Sequence, residues 1–171
     1  MQLDNFKKAL EQFRDKVVQE SKKNLRKAGK GGGDLEKSIK GGDVKVTERS
    51  LQFDIEMEYY GTFQDKGVSG VKKKYNTPYS YRDKMPPPSK LDKWSVRKGI
   101  APRDEKGRFI KRTSLNFLIA RSIFFNGIKP SLFFTKPFLK YSKDLPTELE
   151  SAFALDTEAF LEFTTKQQLN G

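Results

Sequence analysis

The sequence predicts an α+β fold: a long N-terminal helix, an antiparallel β-sheet, C-terminal helices on one face of it, and a long basic loop insertion. Three observations predict it. Leu3, Phe6, Leu10, Phe13, Val17, Ser21, Asn24, Leu25 and Ala28 recur at three- and four-residue steps, the period of an amphipathic helix. Leu51, Phe53, Ile55 and Met57 alternate strictly with Gln52, Asp54, Glu56 and Glu58, the period of a half-buried strand. The stretch from Leu115 to Phe125 carries the densest apolar helix pattern in the chain.

Along the first helix, Asp4, Glu11 and Asp15 come early and Lys22, Lys23, Arg26 and Lys27 late, which complements the helix dipole. Gly29 ends the helix, and Gly31 to Gly33 make a flexible joint. The Walker spacing is absent, so this glycine run reads as a helix stop and not a phosphate loop. Leu35 to Lys40 reads as a first strand or a short turn of helix. Val44 and Val46 alternate with Lys45 and Thr47, and a turn at Glu48-Arg49-Ser50 leads into the strand at 51–57. The acids Asp54, Glu56 and Glu58 lie on one strand face. With no His and no partner motif they read as a solvated face and not as acid–base machinery.

Ser89 is placed to cap a helix over Lys90–Lys98 with Asp92 three residues on, and Gly99 to stop it. In that helix Trp94 and Leu91 are the expected structural anchors. The segment Ala101–Lys111 reads as a mobile loop or a short hairpin turning at Lys106-Gly107. The next helix takes Thr113 or Ser114 as cap and Gly127, then Pro130, as stop. Leu115, Leu118, Ile119, Ser122 and Ile123 form one face; Phe117, Ala120 and Phe124 form another. A helix apolar nearly all round needs cover on more than one side, from the domain's own core or from another subunit. Phe133–Phe138 reads as an extended piece with Pro137 as first helical residue. Pro146 starts a last helix with Leu149, Ala152, Phe153, Phe160 and Phe163 on one face, and Thr165–Gly171 is expected to fray.

At 171 residues the chain is expected to be a single domain, 1–171, with the basic insertion at 66–112 holding a short helix at about 89–98. The hydrophobic share of 35% is low and the charged share of 33% high, so the core is modest. Cys and His are both absent, which removes disulfides, thiol chemistry and the commonest general base and metal ligand. No enzyme, catalytic residue, metal site or cofactor is expected. No apolar run approaches the ~20 residues of a membrane span, and Met1–Lys8 lacks a signal-peptide apolar region, so synthesis in a bacterial-type cytoplasm and no membrane partner are expected. The net charge is +12, and the 66–112 segment carries 15 Lys and Arg against four acids, nearly the whole excess. There Lys72, Lys73, Lys74, Arg82 and Lys84 interleave with Tyr75, Tyr79 and Tyr81. Single-strand binders combine cations and aromatics in this way, so these five are the candidate contacts to DNA or to an acidic partner.

The string P-P-x-x-x-L-x-x-W-x-x-R-K-G-I (Pro86–Ile100), followed by F-L-I-A-R-S-I-x-x-x-G-I-K-P (Phe117–Pro130) and F-F-T-K-P-F (Phe133–Phe138), resembles the minor-tail, or virion-morphogenesis, family of tailed bacteriophages. Ser38-Ile39 after the glycine-rich joint and Y-G-T-F-Q-D-K-G (Tyr60–Gly67) fit the same pattern, and the likeness spreads over most of residues 1–142. The basic segment between Gly67 and Arg112 departs from it in length and charge. The resemblance implies a structural virion protein at the head–tail junction: a neck, connector or tail-completion protein assembling as a homo-oligomeric ring, 6- or 12-fold. Portal or connector and tail proteins would be its neighbours, and DNA would pass its channel. Ring contacts are head-to-tail, so each subunit needs two different complementary surfaces. Phe117, Phe124, Phe125, Phe133 and Phe134 are the expected subunit-interface residues. The alternative is a basic nucleic-acid-binding module acting through the 66–112 loop.

Overall fold

A computed structural model describes residues 3–47 and 50–169, so Glu48 and Arg49 of the expected turn lie outside the described residues. The fold is mixed α+β: seven helices and one two-stranded antiparallel sheet among the described residues. Where the sequence reads as a single domain with an insertion at 66–112, the chain divides into two compact units. One comprises residues 1–61 and 132–171, the other residues 62–131. The second unit outruns the basic insertion because the helix after it packs back onto it.

In the first unit, α1 (Asp4–Lys27) follows the predicted period, with Leu10, Phe13, Val17, Ser21 and Leu25 on its buried stripe. A short α2 (Asp34–Ser38) precedes β1 (Lys40–Val46), which pairs with β2 (Leu51–Glu56) across a bulge between Gly41 and Val44. α6 (Thr135–Tyr141) and α7 (Leu145–Leu169) complete the unit. Their main contacts are with α1 and not with the sheet, so α1 is the middle layer. Phe13 marks this: its ring meets Phe53 of β2 edge-on at 5.5 Å and Phe138 of α6 at 5.8 Å. A second cluster joins Leu25, Leu35, Ile39 and Phe133, with Val18, Ile55, Met57 and Phe134 packed against it. Pro137 falls in the first turn of α6 and not at its first residue, still where no backbone donor is required. α7 is helical to Leu169, so the fraying expected from Thr165 is not seen there; residues 170 and 171 lie outside the described residues.

The second unit opens with α3 (Gly61–Lys66) across the unit boundary. A tight 3-10 turn (Pro88–Leu91) leads into α4 (Asp92–Arg97), and α5 spans Arg112–Asn126. The stops at Gly99 and Gly127 are as expected, with φ of 62° and 72°, values that favour glycine. The expected caps are not used. Neither Ser89 nor Thr113 or Ser114 caps a helix; Asp92 instead accepts from Asn116 Nδ2 at 3.1 Å and so ties α4 to α5. Residues 103–109 form the short hairpin. Its Asp104 carboxylate accepts from the Lys106 and Arg108 N–H groups and from Arg108 Nε, which holds its pKa below the ordinary carboxylate value.

Candidate interaction surfaces

The units divide the charge unequally. Residues 62–131 hold 17 Lys and Arg against five acids, so the second unit carries the whole net +12 and the first is balanced. A surface of one sign attracts an oppositely charged partner over roughly a Debye length, about 8–10 Å at ordinary salt.

Lys72, Lys73 and Lys74 are exposed, but each has a local partner. Lys72 Nζ lies 5.0 Å from the Phe125 ring, Lys73 Nζ lies 5.6 Å from the Tyr75 ring, and Lys74 donates to the Gly70 carbonyl at 3.0 Å. Their backbone does more. The N–H groups of Val71, Lys72 and Lys73 donate to the carbonyls of Phe124 and Phe125, which end α5 without intrahelical partners. The loop is therefore the C-terminal cap of α5. Val68 and Ile128 exchange both backbone hydrogen bonds beside it, at 2.9 and 2.8 Å. Gly70 and Gly127 meet so closely that a Cβ on either would land on the other strand's backbone. Tyr81, half-buried against Phe124, has its hydroxyl pKa raised by burial, while Arg82 and Lys84 remain exposed.

The expected interface residues separate. Phe117 is exposed, with Leu118 beside it and Arg121 one turn on. Phe124 and Phe125 are half-buried within the second unit, their rings 5.4 Å apart. Phe133 is a correction: at 1% exposure it belongs to the core, because it fills the space between Leu25, Leu35 and Ile39. Phe134 packs on that cluster and stacks on Phe138. The faces of α5 also differ from expectation: Leu115, Asn116 and Ala120 are buried and Leu118 faces out. Trp94 is a second correction. It is 37% exposed and Ser95 is the buried residue of α4, since the short helix offers α5 only a small face; Leu91 is half-buried.

The surface that the sequence reading missed is on α7. Leu149, Ala152 and Asp156 form its inward stripe, and Asp156 reaches the start of α1, accepting from the backbone N–H groups of Asn5 and Phe6. Phe160 and Phe163 continue the same stripe by helical spacing, but α1 begins at Asp4 and does not run under them. They are 44% and 59% exposed, and Phe153, Leu155 and Leu161 are exposed as well. The period of the stripe was legible; that its second half lies open depends on where α1 begins relative to α7.

No known family, curated protein or solved structure matches the chain. No described helix is long and apolar enough to cross a membrane.

Proposed function

We propose that the chain is a structural virion protein of a tailed phage. It forms a homo-oligomeric ring at the head–tail junction that links the portal or connector to the tail. The order and spacing of the segments from Pro86 to Phe138 support this reading through their likeness to virion-morphogenesis proteins. The structural observation that carries it is a pair of dissimilar apolar surfaces on separate units: Phe117 and Leu118 on α5, and Phe160 and Phe163 on α7. Head-to-tail assembly requires two such unlike surfaces, whereas a two-fold dimer needs one. Exposed apolar side chains grouped in this way are the kind of surface that protein contacts cover.

Electron microscopy of the purified chain tests the reading. Closed rings of uniform order, about six or twelve copies, are expected, and the same ring should be found between head and tail in the assembled particle. The concentration of +12 on one unit favours the second reading, a nucleic-acid-binding module. A chain that stays monomeric and binds single-stranded DNA with a log–log salt slope of about −0.7 per phosphate neutralised would select it instead.

A further inference from the structure

We infer that the outer half of α7 docks onto the basic second unit of a neighbouring copy of this chain, with the outward face of α5 as its seat. The inference deepens the ring reading and rests on it for the occupant's being a second copy.

The outer part of α7 is uncovered. From Thr157 to Lys166 the helix has no described element of its own unit beneath its inward stripe, and at about 1.5 Å per residue that is roughly 15 Å of helix. Such a length is marginal as an isolated helix in water. Phe160 and Phe163 lie on that stripe, one turn apart. A helix that exposes two Phe rings there gains by burying them against an apolar face.

Charge selects which face. Glu158 and Glu162 occupy the same turns, and over all of α7 five acids stand against Lys166 alone. Two α7 helices brought together would set acid against acid, a pairing that costs free energy. The second unit has the opposite sign and exposed apolar side chains on α5. Phe117 and Leu118 are 45% and 48% exposed, about 100° apart around α5, with Arg121 between them on the face away from Leu115 and the exposed Lys111 just before the first turn. Two exposed apolar side chains with a cation between them fit an apolar stripe accompanied by carboxylates. The contact joins unlike surfaces, so each copy keeps one seat and one helix free for its neighbours.

The test uses the full chain with a photo-crosslinking residue in place of Phe160, mixed from two isotopic labels so that links between copies are distinguished from links within one. Links between copies from position 160 into residues 111–125 are expected. Glu158→Lys with Glu162→Lys should weaken self-association about tenfold or more at low salt, and Lys111→Glu with Arg121→Glu in the same chain should restore it. Circular dichroism and melting of the variants check that they fold; Phe160→Ser with Phe163→Ser, both exposed, provides a second route if charge reversal disturbs the helix. Links from α7 to α7, links only within one chain, or rings that form unchanged in every variant would each overturn the docking while leaving the ring reading standing. A wild-type chain that is monomeric at all concentrations would overturn both.

Discussion

Asp156 of α7 holds the first turn of α1: its Oδ1 accepts from the Asn5 N–H at 3.0 Å and from Asn5 Nδ2 at 2.9 Å, and its Oδ2 accepts from the Phe6 N–H at 3.0 Å. No side chain at Leu3 caps the helix, so a residue some 150 positions away satisfies donors that the helix itself leaves open. The carboxylate also sits at the positive end of the α1 dipole.

Asp156→Ala should therefore destabilise the first unit by about 1–2 kcal/mol, the usual worth of a helix N-cap. Urea unfolding followed by circular dichroism measures it. A midpoint unchanged from wild type would mean that water replaces the cap without cost.

Gly70 and Gly127 predict a larger effect. A Cβ on Gly70 would meet the Phe125 carbonyl oxygen, and one on Gly127 the Val68 carbonyl oxygen, with Gly127 already at a φ of 72°. Alanine at either position should cost about 3 kcal/mol or more, because the backbone at Val68–Ile128 must part to admit it. Amide exchange should rise at Val68, Ile128 and Lys72 in these variants. Protection as in wild type would show that the junction tolerates a methyl group.

Trp94→Ala should cost only about 1–2 kcal/mol, less than truncating a buried aromatic, since the ring is 37% exposed. Tryptophan fluorescence in the native protein should already be partly solvent-quenchable. A loss of the order of 4 kcal/mol would restore Trp94 as an anchor.

Glu36 predicts a pH dependence. Its carboxylate accepts from the Gly32 N–H at 2.7 Å and from Arg26 Nε at 2.5 Å, and these bonds hold its pKa below the ordinary 4.5. The folded pKa lies below the unfolded one. The stability it contributes is therefore complete above pH 4.5 and is lost as pH falls through the folded value. Unfolding of wild type and Glu36→Gln over roughly pH 3 to 6 should show curves that converge toward the acid end. Parallel curves would remove the carboxylate from the account.

What the sequence determined by itself was local. The periods of α1 and β2 were legible because each is set by residues three, four or two apart, and α5 was legible as a helix though not in which faces it buries. The stops at Gly99 and Gly127 followed from the backbone freedom of glycine. The concentration of charge between Lys66 and Arg112 needed only counting. The tertiary structure decided what local rules cannot reach. Phe133 is core because Leu25, Leu35 and Ile39, about a hundred residues earlier, close around it. The lysine loop proved to be a helix cap because its N–H groups meet carbonyls some fifty residues on. Phe160 and Phe163 obey the same period as Ala152. They are exposed only because α1 begins opposite Asp156, and burial belongs to whichever element lies alongside, not to the period that aims a side chain.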